Sequence, residues 1–196
     1  MMKTIKEIFS RLFVLAAKNK INLYAFTYLL SQSDFLNKVE KGIYDDYFNK
    51  SLEEIFFDIT NRRIDSDDSY GVYDDAYWCG SSYFELFQRT NKPFAYIFLK
   101  LPFDRMMYIY PVYHEMDITS LVGYFSQVEK SKTILRLLCE INGCSITKLS
   151  QFTGINSATL AKYNASDEAL YKGSFQNIIK IANYFKAPIN LFVEAI

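Results

Sequence analysis

The stretch that most constrains the fold of this chain is residues 145–164, with the sequence SITKLSQFTGINSATLAKYN. Ile146, Leu149 and Phe152 recur at the i, i+3, i+6 spacing that marks one face of a helix. Gly154 follows where that helix must end, and glycine adopts the required left-handed backbone at the lowest cost. The stretch therefore predicts a short helix, a tight turn and a second short helix.

Polar residues mark the start of both helices. Ser145 is a good N-cap for the first helix, and Asn156 is one for the second, which is predicted over Ser157–Tyr163. The buried face of the second helix is expected to contain Ile155, Leu160 and Tyr163. Two helices joined by a glycine-containing turn form a helix-turn-helix, the unit that seats its second helix in the major groove of DNA.

The segment KLSQFTGINSATLAKY resembles the helix-turn-helix of phage-repressor-type regulators, the lambda repressor and Cro superfamily. The usual pattern of that family is L-A-x-x-x-G-[IV]-[ST]-x-x-T-[IL]-x-x-[YI]. The later segment SFQNIIKIANYFKAPINLFVEA is similar to the last two helices of the family. The resemblance covers about residues 130–196. It implies a five-helix domain that binds double-stranded DNA, usually as a homodimer on a palindromic operator.

The resemblance also implies which residues meet DNA. The exposed start of the recognition helix falls on Ser157, Ala158 and Thr159, which suit a thymine methyl group or either kind of base edge. Phosphates are expected to contact five polar residues, Ser145, Lys148, Asn156, Lys162 and Lys172. Tyr163 completes this DNA-binding set, although it is also a candidate for the buried face. Ile146 stands where the family often has a phosphate-contacting Gln, so a helix-turn-helix kept only as a dimer or protein interface is the alternative.

Charge is distributed unevenly between the two parts of the chain. The net charge is zero, yet residues 130–196 hold eight Lys or Arg and four Asp or Glu, whereas residues 1–129 hold fourteen and eighteen. This asymmetry favours a nucleic-acid-binding module joined to an acidic partner or effector region. Aromatic residues make up 17% of the chain, which suits a dense core or an exposed recognition surface.

Other sequence signals point away from metal, membrane and catalytic functions. The three thiols, Cys79, Cys139 and Cys144, lack zinc-site spacing and have one His to assist them, so they are predicted to be buried. An odd number of cysteines without a secretory signal favours a reducing cytoplasm. No apolar run approaches the length of a membrane span. Phosphate-binding glycine loops and nucleophile elbows are absent, so neither an enzyme nor a cofactor is expected.

The region over residues 1–125 is predicted to be helical. An apolar stripe from Ile5 to Ala16 predicts a first helix, followed by a break near Asn19–Asn22 and a second helix over Leu23–Leu30. Further helix starts are expected at Ser33 and at the capping box that begins with Ser51. Apolar segments near residues 76–88, 94–101, 105–110 and 120–125 also favour helices. The expected fold is all-α, with a helical region over residues 1–125 and a five-helix repressor-type helix-turn-helix domain over residues 130–196.

Residues 65–75, DSDDSYGVYDD, form the most acidic part of the chain. They fail as an EF-hand calcium loop, because Tyr70 replaces the required glycine and Ala76 replaces the final glutamate. The segment predicts either a solvated connection or a surface that binds a basic partner protein, such as a toxin, or that imitates nucleic-acid charge. The partner-binding residues would be Asp67, Asp68, Asp74, Asp75 and Trp78.

A second resemblance covers about residues 74–117. The segments DDAYWCGSSYFELFQRTNKPF and YPVYHEMD are similar to small uncharacterised proteins from Gram-positive bacteria, found in gene clusters that look like toxin–antitoxin loci. This resemblance implies no chemistry, but it leads us to expect one packing cluster of Trp78, Gly80, Tyr83 and His114. His114 is the only histidine, and we expect a hydrogen-bonded structural side chain rather than an acid–base catalyst.

These observations predict a non-enzymatic, cytoplasmic, DNA-binding transcriptional regulator. It would be an antitoxin-like or phage-type repressor that binds a palindromic operator as a dimer, with an N-terminal protein-interaction region. The alternative is a protein inhibitor of a nucleic-acid-processing enzyme, in the manner of anti-CRISPR proteins. In that case the acidic, aromatic surface would bind the enzyme and the helix-turn-helix would serve dimerisation or autoregulation.

Overall fold

The part of the chain that the structure describes is helical throughout. The computed structural model describes residues 4–64 and 73–192, and in these ranges it contains α-helices, two short 3-10 helices and no strand. The α-helices are α1 (Ile5–Lys18), α2 (Leu23–Ser31), α3 (Asp34–Glu40), α4 (Leu52–Thr60), α5 (Asp74–Thr90), α6 (Phe94–Lys100), α7 (Phe103–Tyr113), α8 (Ile118–Glu129), α9 (Ile134–Ile141), α10 (Ile146–Thr153), α11 (Ser157–Ala165), α12 (Asp167–Tyr171) and α13 (Phe175–Phe185). The all-α prediction is confirmed.

The helices form two compact units. The N-terminal unit is Met1–Val122 and the C-terminal unit is Gly123–Ile196, so the division falls within α8. Helices α1 to α7 belong to the N-terminal unit. Among the described residues, five α-helices lie wholly in the C-terminal unit, α9 to α13.

Side-chain caps fix the starts of the N-terminal helices. The Ser33 hydroxyl accepts a hydrogen bond from Leu36 N at 3.1 Å, at the start of α3. At α4, Ser51 Oγ accepts from Glu54 N at 3.1 Å while Glu54 Oε2 accepts from Ser51 N at 2.7 Å. These bonds satisfy backbone N–H groups that have no partner within the helix. The predicted cap at Ser33 and the predicted capping box at Ser51 are both confirmed.

Aromatic rings fill the core of the N-terminal unit. Phe9 stacks on Phe94 at 4.8 Å between ring centroids, and Phe13 meets Phe26 edge-on at 5.2 Å. Tyr83 is fully buried, and its hydroxyl donates to the carbonyl of Leu101 at 2.9 Å. A buried tyrosine needs such a partner because an unpaired hydroxyl would be costly. Many of the aromatic residues therefore form a dense core, which was one of the two roles suggested by the high aromatic content.

Gly80 allows α1 and α5 to approach closely. A Cβ added at Gly80 would lie 2.7 Å from the backbone Cα of Ser10 and 3.0 Å from Cδ2 of Phe13. Real Cβ atoms do not approach a backbone atom this closely, so the packing of α5 on α1 depends on the missing side chain.

Hydrogen bonds between distant residues hold the C-terminal unit together. Asp167 Oδ1 accepts from the N–H of Ile134 at 2.6 Å, at the start of α9. The Thr133 hydroxyl donates to the carbonyl of Asn164 at 2.9 Å. These two bonds tie the start of α9 to the end of α11 and the start of α12. The unit's buried apolar residues include Leu135, Leu149, Leu160, Ile181 and Phe192.

Candidate nucleic-acid interface

The local structure over residues 145–164 is the predicted pair of helices and turn. Ser145 caps α10 by accepting from Lys148 N at 3.1 Å, and Asn156 caps α11 by accepting from Ala158 N at 2.8 Å. Gly154 ends α10 with φ at 68°, the left-handed conformation expected from its position. The predicted caps and glycine turn are confirmed, and α11 ends at Ala165, slightly beyond the predicted Tyr163.

Hydroxyl groups brace the turn between α10 and α11. Ser150 Oγ donates to the carbonyl of Ile155 at 2.6 Å and lies 3.2 Å from Ser157 Oγ. The Thr153 hydroxyl donates to Leu149 O at 2.7 Å, and Ile155 N donates to the same hydroxyl at 3.3 Å. Ser150 was not among the residues predicted from the sequence to belong to this site. Its position in the last turn before the helix-ending glycine could have indicated this role, because serine hydroxyls there often form hydrogen bonds with nearby backbone groups.

The inner side of α11 is buried as predicted, and this removes one residue from the proposed interface. Ile155, Leu160 and Tyr163 are 4%, 0% and 7% exposed. The Tyr163 hydroxyl lies 3.4 Å from Asn177 Nδ2, on α13, and it fits closely against Gly173. Tyr163 was included in the DNA-binding set, and that assignment is corrected: its position one turn after Leu160 directs it into the core.

The outer side of α11 carries small and basic residues. Ser157, Ala158 and Lys162 are exposed, and Thr159 is half-buried. Because the serine, alanine and threonine side chains are small and project little from the helix, the backbone of α11 can approach a flat or grooved ligand closely. Ala158 and Lys162 are therefore one turn apart on the accessible side of α11, and Ser157 and Thr159 flank them.

The helix-turn-helix has no acidic residue of its own. Between Glu140 and Asp167 the sequence contains no carboxylate, whereas it contains Lys148 and Lys162. Glu140 pairs with Lys132, whose hydrogen bond holds the pKa of that carboxyl below its usual value, and also with Arg136. Within residues 4–64 and 73–192, no carboxylate lies within ion-pair distance of Lys148 or Lys162. This surface is consequently uncompensated positive charge.

Lys172 differs from Lys148 and Lys162 in both its position in the chain and its ion pairing. It follows α12 and forms an i, i+4 ion pair with Glu168. Both side chains are exposed, so the pair is weak and can exchange for another anion. The charge of Lys172 is nevertheless already compensated by Glu168, whereas those of Lys148 and Lys162 are not.

Phe152 is exposed, although its spacing places it on the same face of α10 as Leu149. It is 68% exposed and packs on Tyr184 with ring centroids 5.7 Å apart, while Thr153 is buried in its place. The buried residues of α10 are Leu149 and Thr153, which are separated by an i, i+4 step. The spacing of Phe152 and Leu149 marks one face of the helix, but only Leu149 of the two is buried.

The three thiols are free and buried, as predicted. Burial raises the pKa of Cys139 to about 11, with the neighbouring Cys144 contributing further. Burial also raises the pKa of Cys79. Cysteines held in the thiol form are poor nucleophiles and poor metal ligands. Within the described residues, no group of three His, Cys, Asp or Glu side chains is placed to hold a metal ion.

The predicted partner-binding residues belong to the N-terminal unit. Asp67 and Asp68 lie outside the described residues. Asp74 and Asp75 form the first turn of α5, and Trp78 follows them, half-buried. These three residues are therefore adjacent on one helix, in a different unit from α10 and α11.

The expected cluster of Trp78, Gly80, Tyr83 and His114 divides into two groups. Trp78 and His114 both pack on Tyr110, at 5.4 and 4.5 Å between ring centroids. Gly80 and Tyr83 instead meet Phe13 in the core. His114 Nδ1 lies 2.8 Å from Tyr110 O, which confirms a hydrogen-bonded histidine, and its Nε2 is 3.7 Å from Glu115, too long for a hydrogen bond.

Comparisons with known proteins identify no relative: no family model, no curated protein and no solved structure matches the chain. None of the helices in the described residues is long and apolar enough to cross a membrane.

Proposed function

We propose that the C-terminal unit binds double-stranded DNA and that the protein is a transcriptional regulator of the phage-repressor or antitoxin type. The observation that supports this most is the exposed side of α11, which joins Ser157, Ala158 and Thr159 to the uncompensated cation of Lys162. A helix with a low, uncharged surface enters the major groove, and a lysine beside it binds phosphate.

The polar groups of α10 add to the phosphate contacts in this proposal. Lys148 is exposed in the first turn of α10, and Ser145 and Asn156 stand exposed at the two helix starts. The amide groups at these helix starts also attract anions through the helix dipole. Base reading comes from Ser157, Ala158 and Thr159 by hydroxyl bonds and thymine-methyl contacts.

A dimer on a palindromic operator completes the proposal, since a few small recognition residues give weak binding on their own. Four apolar residues near the C-terminus suit a core or a dimer seam, Phe175, Phe185, Ile189 and Phe192. Phe185 and Phe192 are buried, whereas Phe175 is 70% and Ile189 is 44% exposed. Phe175 and Ile189 are therefore the two that remain for contact with a second copy.

Charge reversal at Lys162 is expected to weaken DNA binding by about tenfold or more, because one phosphate contact becomes a repulsion. The logarithmic salt dependence of the binding constant should also lose about one unit of slope. Fluorescence anisotropy with the DNA upstream of the protein's own gene, measured for Lys162→Glu at several salt concentrations, gives both quantities.

Two matched variants control this measurement. Lys162→Arg keeps the charge and should retain binding, and Lys41→Glu makes the same charge change at an exposed site of the N-terminal unit. Equal weakening by Lys41→Glu would show that net charge, rather than the α11 surface, governs binding. Absence of any salt-sensitive DNA binding by the unaltered protein would end the proposal.

A further inference from the structure

The N-terminal unit exposes an apolar strip along α7. Tyr108 is 77% exposed, Val112 is 58% exposed and Met116, in the turn after the helix, is 50% exposed. Tyr108 and Val112 are four residues apart on one side of the helix, and Met116 follows them in the turn after it. Single exposed apolar side chains are ordinary, but three in a row form a patch of the kind that marks contact sites.

A cavity continues this strip beyond Met116. It has a volume of about 250 Å³, enough for one large side chain, and Met116 forms part of its wall with Trp78 and Tyr113. Ile118 and Leu121 add further apolar lining. Its polar side is the ion pair of Lys6 with Glu85, whose charges already compensate each other. Tyr108, Val112, Met116 and this cavity are named here the α7 surface.

Carboxylates dominate the sequence around the α7 surface. Arg105 is the single Lys or Arg between Lys100 and Lys130, and its guanidinium lies 5.5 Å from the centre of the Tyr108 ring. There is no Lys or Arg between Arg63 and Arg89. The same segments contribute five described carboxylates beside α7 and at the start of α5, those of Asp74, Asp75, Asp104, Glu115 and Asp117.

The start of α5 and the middle of α7 share one electrostatic environment. Desolvation raises the pKa of the Tyr110 hydroxyl, and the charges of Asp74 and Asp75 raise it further. Trp78 packs edge-on against the same Tyr110 ring. Negative charge at the start of α5 therefore acts at the edge of the α7 surface. An acidic partner would be repelled there, and a basic one would be attracted.

We propose that the α7 surface binds a basic, amphipathic helix of a partner protein. Apolar side chains of that helix, spaced by one turn, pack on Tyr108, Val112 and Met116, and one of them enters the cavity beside Trp78. Lysine or arginine residues flanking them pair with the carboxylates of Asp104 and Glu115. This site lies in the N-terminal unit and does not depend on the proposed binding of DNA by the C-terminal unit.

A synthetic peptide provides a direct probe of this site. It consists of Leu, Lys and Ala, with leucine at i, i+4 and i+7 spacing so that a helix has one apolar and one basic side. A second peptide of the same composition, shuffled to remove the apolar side, controls for charge alone. Trp78 is the only tryptophan of the chain and lines the cavity, so its emission reports occupancy directly.

Tyr108→Ser with Val112→Ser is expected to weaken binding of the amphipathic peptide by about tenfold or more, since exposed aromatic and aliphatic anchors carry most of such an interface. Glu115→Lys should weaken it less and reduce its salt dependence. Tyr24→Ser with Leu29→Ser removes apolar side chains that are 42% and 37% exposed on α2, and it should leave binding unchanged.

Three results would overturn the proposal. The first is binding of the shuffled peptide as tight as that of the amphipathic one, and the second is binding by the Tyr108 and Val112 double variant as tight as that by the unaltered protein. The third is a dimer, by light scattering, that becomes a monomer in the double variant, which would show that a second copy covers this surface. Circular dichroism verifies that each variant is folded, and DNA binding by the same samples tests the other proposal separately.

Discussion

Gly80→Ala is expected to lower the free energy of unfolding of the N-terminal unit by about 2 kcal/mol, within the range known for overpacked cores. The new methyl group would meet the backbone of Ser10 at 2.7 Å, and a backbone atom cannot move aside as the end of a side chain can. Alanine favours helix over glycine by about 1 kcal/mol, so the steric cost must exceed that gain for the variant to be destabilised. Urea unfolding followed by Trp78 emission measures the change, because Trp78 lies on the same helix.

Gly123→Ala controls for the gain in helix propensity; Gly123 is the first residue of the C-terminal unit, so circular dichroism rather than Trp78 emission follows its unfolding. Gly123 also lies within a helix, α8, and a Cβ added there meets no atom of the described residues within 4 Å. Its substitution should therefore be neutral or stabilising by up to about 1 kcal/mol. If Gly80→Ala and Gly123→Ala gave the same change, the close approach of α1 and α5 at Gly80 would not be a determinant of stability.

Features written into a few adjacent residues were predictable from the sequence. The caps at Ser33, Ser51 and Ser145 each depend on a hydroxyl and a backbone N–H three residues later. The turn at Gly154 depends on one residue that tolerates a positive φ. Since these interactions are local, they need no knowledge of the tertiary packing, and the helix-turn-helix is built almost entirely from them.

Features that depend on distant contacts were not predictable. Phe152 is apolar and lies on the same arc of α10 as Leu149, yet the packing of α13 places it beside Tyr184 at the surface. Likewise, no periodicity shows that Asp167 bonds the N–H of Ile134, or that Gly80 lets two helices approach closely. The α7 surface was missed for a related reason: the segment FDRMMYIYPVY is apolar on nearly every side, so only the packed structure shows which side remains exposed.

Leu160→Ala is expected to lower the free energy of unfolding of the C-terminal unit by about 2–5 kcal/mol. Leu160 is fully buried on the inner side of α11, and with the buried Ile155 and Tyr163 it anchors this helix in the core of the unit. Losing it leaves a cavity behind the proposed recognition surface, so DNA binding should weaken although no DNA-facing residue has changed. Circular dichroism during urea unfolding gives the stability, and anisotropy with the upstream DNA gives the binding.

Ala161→Ser separates the two sides of α11 in the same measurements. Ala161 is the next residue and is exposed, so a hydroxyl there should change the unfolding free energy by less than about 0.5 kcal/mol. Hydrogen exchange adds a local readout, because amides of α10 and α11 should lose protection in Leu160→Ala and keep it in Ala161→Ser. If Leu160→Ala kept full protection in α11, the helix would be held by something other than its buried apolar side. The rigid placement of the recognition surface by Leu160 would then have to be abandoned.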